Sequence, residues 1–252
     1  MNSFQKTITL GFRLLRIGAT NPRRLSHVLG TAFSATNDVI AKSHDLLSMP
    51  CKDLNDILPD TGELLELRMI VFPAARASLS IQEFAVLLLL LKRVNAKKIF
   101  EFGTFKGISI SQLTLNLPLE SEIYTLDLPE NATSTSFAIV DPDEAAFAAE
   151  QGKGTLVPAA LRPRIRFLQQ DSAMFDETPF IGRMDFVFVD GAHSYDYVKS
   201  DSEKGWRMLR SGGIIAWHDY RPQDPDVVRF LLECPFKPAC IAGTTVAFAT
   251  KP

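Results

Sequence analysis

The sequence predicts an α/β fold: a doubly wound, mostly parallel sheet covered by helices and closed by an antiparallel hairpin, with a helical N-terminal extension. Three observations predict it. Short apolar runs alternate with helix-type stretches from about residue 80 onward, the alternation of a parallel sheet. Successive runs end in an aspartate, at Asp127, Asp171, Asp190 and Asp219. The last segment, Pro238 to Thr250, has strand composition on both sides of Gly243-Thr244 with no room for a crossover helix. Its halves must therefore form a hairpin, so one strand runs antiparallel.

Residues 1–60 read as the helical N-terminal extension and residues 61–252 as the main domain. Asn21-Pro22, Met49-Pro50 and Leu58-Pro59 cut the extension into short pieces without a strand pattern. From Met1 to Gly30 the charged residues are Lys6, Arg13, Arg16, Arg23 and Arg24, with no acid. Phe4, Ile8, Phe12, Leu15 and Ile17 recur there at roughly helical spacing, the pattern of a basic amphipathic helix. Such a helix suits an arm packed on the main domain or on a second copy in a homo-oligomer, or a peripheral contact with a membrane surface. It lacks the apolar core and cleavage site of a secretory signal.

Ser80-Ile-Gln-Glu83 has capping-box spacing and opens a helix to about Asn95. Its run Ala85 to Leu91 is too short to span a bilayer and reads as buried. The first strand follows, with Ile99, Phe100 and Phe102 as its apolar residues, and stops at Gly103. Gly107 comes four residues later, before the helix-type run Ile108 to Leu115. A strand, a glycine-bearing turn and a helix start make a binding crevice, because glycines permit positive φ and close approach while the helix start offers free N–H groups. Glu101-x-Gly-x-x-x-Gly107 is not the Gly-x-Gly-x-x-Gly dinucleotide pattern.

Further strands are expected at Glu122 to Asp127, Ile165 to Asp171, Asp185 to Asp190 and Gly212 to Asp219. A helix over Tyr195 to Leu209 places Tyr195, Val198, Trp206 and Leu209 on one face. Asn131 to Pro163 is long for a strand-to-strand connection and reads in part as a loop over the crevice.

Composition limits the function classes. An apolar fraction of 46%, a charged fraction of 22% and a net charge of −2 over 252 residues describe a globular protein with no general affinity for nucleic acid. Cys51, Cys234 and Cys240 are odd in number and not at zinc spacing, so reduced thiols in a cytoplasmic setting are expected.

In an open parallel sheet ligands bind beyond the carboxyl ends of the strands, where all four aspartates fall. Asp127 lies about twenty residues past the glycine turn, where an acid can accept both hydroxyls of a ribose. Glu101-Phe-Gly-Thr-Phe-Lys-Gly107, Tyr124-Thr-Leu-Asp127, Gln170-Asp171-Ser172, Val187-Phe-Val-Asp-Gly-Ala-His-Ser-Tyr195 and Gly212-Gly213…His218-Asp219-Tyr220 together resemble the seven-stranded, Rossmann-like S-adenosylmethionine-dependent methyltransferases. The later stretches resemble a bacterial group related to the metal-dependent O-methyltransferases, including macrolide-sugar methyltransferases and cephalosporin-hydroxylase-like proteins.

That resemblance implies S-adenosylmethionine as cofactor and a small-molecule hydroxyl, of a sugar or secondary metabolite, as methyl acceptor. It implies that Gly103, Thr104 and Gly107 border the methionine part of the cofactor, that Glu101 shapes this pocket, that Asp127 holds the ribose, and that Asp171 and Ser172 lie by the adenine. It implies His193 as general base beside Asp190. It implies Asp190 and Asp219, with His218, as ligands of a divalent metal. The chemistry is coherent: the sulfonium methyl is already activated, so a hydroxyl must be positioned and relieved of its proton. The departure is His218, where metal-dependent relatives commonly place an acid, and Tyr220, where catechol-type enzymes have Asn. Magnesium prefers oxygen ligands and an imidazole favours manganese or another borderline metal; the alternative is chemistry without metal. Two other classes compete: a non-catalytic assembly protein built on this fold, and a nicotinamide-dependent oxidoreductase, which the missing dinucleotide pattern opposes.

Overall fold

The computed structural model describes residues 48–58, 65–72, 78–130, 132–139, 145, 146, 150 and 152–252. The basic helix expected at 1–30 and the expected boundary at residue 60 lie outside the described residues. So do several positions of the 131–163 segment.

Eight strands form one mixed sheet: β1 (Cys51–Lys52), β2 (Lys98–Phe102), β3 (Glu122–Asp127), β4 (Ile165–Gln169), β5 (Met184–Val189), β6 (Leu209–Trp217), β7 (Ala239–Ile241) and β8 (Ala247–Thr250). Their spatial order is β1-β7-β8-β6-β5-β2-β3-β4. Only β8 runs antiparallel to its neighbours, between β6 and β7. The hairpin expected from Gly243-Thr244 is therefore real, and it fills the slot beside β6. The eighth strand, β1, pairs parallel with β7 through Cys51 and Lys52, inside the stretch expected to hold no strand. Two residues carry no period, so only the exposed edge of β7 could recruit them.

Five helices are described: α1 (Leu54–Ile57), α2 (Ile81–Arg93), α3 (Ile108–Leu115), α4 (Tyr195–Met208) and α5 (Pro225–Glu233). Ser80 and Glu83 close the capping box at the start of α2, and Phe84 and Val86 to Leu91 are buried. The buried face of α4 overlaps the expected one at Val198, while Tyr195 and Trp206 pack half-buried against the core beside it. It consists of Tyr197, Val198, Asp201, Ser202, Lys204, Gly205 and Met208, so polar residues and a glycine stand where apolar periodicity looks for leucines. The glycine is required by packing, because a Cβ on Gly205 would lie 2.9 Å from Val187 and 3.1 Å from Ile215. Ser202 accepts a 2.8 Å hydrogen bond from the Trp217 indole, which is core.

Register brings the site together. Phe102 pairs with Leu126 on one side and Val189 on the other, and Val189 pairs with Trp217. The residues just past those pairs, Gly103, Asp127, Asp190 and His218, consequently emerge side by side at the carboxyl edge of the sheet. Among the described residues no helix is long and apolar enough to cross a membrane.

Candidate active site

A cavity of about 710 Å³ opens along that edge, the size of a small-molecule site. At one end lies the glycine turn. Gly103 has φ +96° and Gly107 φ +82°, the latter capping α3 in the left-handed conformation. Asp127 Oδ2 accepts the N–H groups of Thr104 (3.0 Å) and Phe105 (2.7 Å), so the acid one strand away holds the turn in shape. Its Oδ1 accepts from Leu128 N–H and pairs with Lys153 at 3.1 Å. Lys153 stands between Gly152 and Gly154, whose strap is stitched over the turn by Gly154 N–H to Phe105 and Leu156 N–H to Lys106. A Cβ on Gly107 would meet Val157 at 2.4 Å, so this glycine is needed for the crossing strap as well as for its own φ.

Glu101 lies beneath the turn, fully buried, with Oε2 accepting from Thr125 at 2.6 Å and Oε1 lacking a hydrogen-bond partner. Burial pushes it up to about 8, against hydrogen bonds from Ser109 and Thr125. At neutral pH it is largely a neutral acid that shapes the floor.

The other end carries the charge. His193 Nε2 lies 3.0 Å from Asp219 Oδ2 and its Nδ1 3.0 Å from Asp224 Oδ1. His218 Nδ1 lies 3.0 Å from Asp190 Oδ1 and 3.1 Å from Asp219 Oδ2, with Nε2 3.8 Å from Glu83. Arg221 reaches Asp219 Oδ1 at 2.9 Å. Asp219 has φ +61°, a left-handed turn that Asp tolerates better than most residues, and this turn follows His218 at the β6 exit. Burial alone would lower His193, but Asp219 and Asp224 outweigh it and push it up to about 11. His218 is raised well above its usual value in the same way by Asp219 and Asp190. Burial raises Asp190; Asp219 is held well below the usual carboxylate range because the two imidazoles overcome its burial. Four carboxylates (Glu83, Asp190, Asp219, Asp224) here face one arginine and two imidazoles, so the cluster needs protons on its histidines or a cation among its acids.

Ligand atoms of Asp190, His193 and Asp219 all lie within 4.8 Å of one another. Two carboxylates and an imidazole are a suitable donor set for a divalent ion such as manganese.

The expected site residues divide into groups. Gly103, Thr104, Gly107, Asp127, Ser172, Asp190, His193, His218 and Asp219 line the cavity. Glu101 supports it from below. Asp171 accepts from Tyr197 Oη, Ser136 N–H and Ala173 N–H, tasks that fix the loop after β4. Glu83, Lys153, Asp201, Arg221 and Asp224 were not singled out as site residues from the sequence. Glu83 was legible only as a helix-capping acid. Its second oxygen, which accepts from Thr245 N–H and Oγ1 at 2.9 and 2.8 Å, leaves no local pattern.

A family model described as a methyltransferase domain matches residues 100–220, from the first full strand through the acid cluster. That stretch, a little under half of the chain, thus carries the pattern of a methyltransferase domain. The methyltransferase relatives include the flavonoid 3',5'-methyltransferase of Vitis vinifera, 31% identical over 134 residues, or 51% of this chain and 49% of that one. They also include the caffeoyl-CoA O-methyltransferase of Stellaria longipes, 24% identical over 200 residues, or 77% and 76% of the two chains. The chain thus spans about half the length of the first and three quarters of the second. A solved structure from Staphylococcus aureus, assigned as a caffeoyl-CoA O-methyltransferase, superposes with a TM-score of 0.51 at 16% identity, covering 69% of this chain and 85% of that one. It supports the Rossmann-like methyltransferase fold.

Proposed function

We propose that this chain transfers the methyl group of S-adenosylmethionine to a hydroxyl of a small molecule, a sugar or secondary metabolite, in a cytoplasmic setting. One observation carries the proposal: a single cavity has the glycine turn and Asp127 at one end and the Asp190–His193–Asp219 cluster at the other. A donor held at the first end presents its methyl toward an acceptor held at the second, and such positioning supplies much of the rate for an already activated methyl. The methyltransferase family match and the O-methyltransferase relatives agree with it.

Asp190 and Asp219 would hold a divalent ion, which would polarise the acceptor oxygen and lower the pKa of its hydroxyl, with the His193 ring beside it kept for the proton. The chain's own groups handle the proton. His193 is fixed between Asp219 and Asp224, and while both are ionised it carries a proton near neutral pH. It serves as base only when the pull of Asp219 is offset. Asp190, raised by burial, is the second acceptor at the same end.

Calorimetry with S-adenosylhomocysteine tests the donor site: binding is expected at micromolar concentration, and Asp127→Ala should weaken it at least tenfold. No binding to the wild type at millimolar concentration would overturn the proposal. His193→Ala should spare that binding and lower turnover.

A further inference from the structure

Asp201 is a buried acid for which the proposed chemistry has no use. It sits in the middle of α4, 1% exposed, and lines the cavity together with Ser172, Gly191 and Tyr197. Its Oδ2 lies 3.4 Å from where a Cβ on Gly191 would be, so the carboxylate comes up directly under the chain leaving β5. Its Oδ1 is buried and has no hydrogen-bond partner among the described residues. The nearest cation does not relieve this, because Lys204 donates to the carbonyls of Ser172 and Ala173 instead. A buried acceptor left empty is costly unless a ligand completes it.

The expected purine acid is otherwise engaged. Both oxygens of Asp171 accept from Tyr197 Oη at 3.0 Å, and each also accepts a backbone N–H. Asp171 does not line the cavity, whereas Asp201 does. Leu128, Ile139 and Ala192 supply apolar wall to the same cavity, suited to a flat ring whose edge carries a donor.

We infer that Asp201, not Asp171, recognises the exocyclic amine of the cofactor's purine, with Oδ1 accepting one of its N–H groups. The assignment rests on the proposed donor site. Asp171 is then a positioning residue, which holds Tyr197 and the loop after β4. A site with a vacant acceptor rejects a ligand that lacks the matching donor far more strongly than an apolar pocket rejects a change of size.

The test compares S-adenosylhomocysteine with S-inosylhomocysteine, in which the amine is replaced by a carbonyl, by calorimetry on the full chain. The wild type should bind the inosine compound at least tenfold more weakly. Asp201→Asn, whose amide can donate to a carbonyl, should lose tenfold or more for the adenosine compound, gain for the inosine compound, and so abolish the preference. Asp171→Asn should leave the ratio of the two affinities as in the wild type. Should Asp201→Asn fail to fold, Asp201→Ser serves, with loss of the preference again expected. Equal binding of both compounds by the wild type, or a preference that survives at position 201 and disappears at 171, would overturn the assignment while leaving the donor site intact. Failure of the wild type to bind S-adenosylhomocysteine would remove the donor site and this assignment with it.

Discussion

Replacing Gly103 with alanine separates two reasons for a glycine at that point. A ligand approaching the backbone would make the substitution harmful to binding alone, whereas the structure makes it harmful to folding. The added Cβ would lie 2.0 Å from the Asp190 carbonyl oxygen, 2.5 Å from its carbon and 2.8 Å from Gly191 N. All three atoms belong to the backbone leaving β5, tied to β2 by the 2.9 Å bond from Asp190 N–H to the Phe102 carbonyl, so no side chain can rotate away. The φ of +96° adds about 1–2 kcal/mol for a residue with a Cβ. Overpacking against fixed atoms adds about 1–3 kcal/mol. In a chain of this size each kcal/mol lowers Tm by about 2–4 °C, so Gly103→Ala should melt on the order of 5–15 °C below the wild type. Gly182→Ala is the control, since Gly182 has φ +68° but nothing within 4 Å of its added Cβ. It should carry the conformational cost alone. Thermal melts by circular dichroism read both. If Gly103→Ala melts no lower than Gly182→Ala, the close approach of the two strand exits does not constrain this turn.

Three further outcomes are expected. Glu101→Gln should become increasingly stabilising from pH 5 to pH 8. The folded pKa of Glu101 is raised to about 8, so the unfolded chain ionises first and the wild type loses stability as pH rises through that interval, by a few kcal/mol in order of magnitude; urea melts at both pH values measure the difference, and parallel curves would refute it. Asp224→Asn should lower the His193 pKa, now about 11, by roughly two units, because one of two equidistant carboxylates is lost. A nitrogen-detected NMR titration of chelator-treated protein follows it, and an unchanged midpoint would show that Asp219 alone sets the value. Manganese added to chelator-treated protein should raise Tm as a bound ligand does, and Asp190→Asn should remove most of that rise; no rise in the wild type would argue that the histidine protons balance the acids without a cation.

The sequence by itself determined the architecture, because burial acts on local patterns. Apolar runs between helix-type stretches yielded the parallel strands, and the missing crossover around Gly243-Thr244 yielded the antiparallel β8. The capping spacing of Ser80 and Glu83 yielded the start of α2. The aspartates ending successive strands marked the carboxyl edge, since a polar residue that ends an apolar run marks where the chain leaves the core. Most of the cavity lining followed from that edge.

Contacts set by register and by three-dimensional packing could not be read that way. Val189 opposite Trp217 puts His218 beside Asp190, while a left-handed turn at Asp219 lets one carboxylate touch both imidazoles. The bonds of Thr245 to the second oxygen of Glu83, the reach of Asp224 to His193 and the pairing of Lys153 with Asp127 depend on segments 162, 31 and 26 residues apart in sequence. Asp201 lies on a helix face that periodicity alone would fill with apolar side chains. Chain order fixes which residue types reach the sheet edge; the approach of distant backbones decides which polar atoms are paired there and which are left for a ligand.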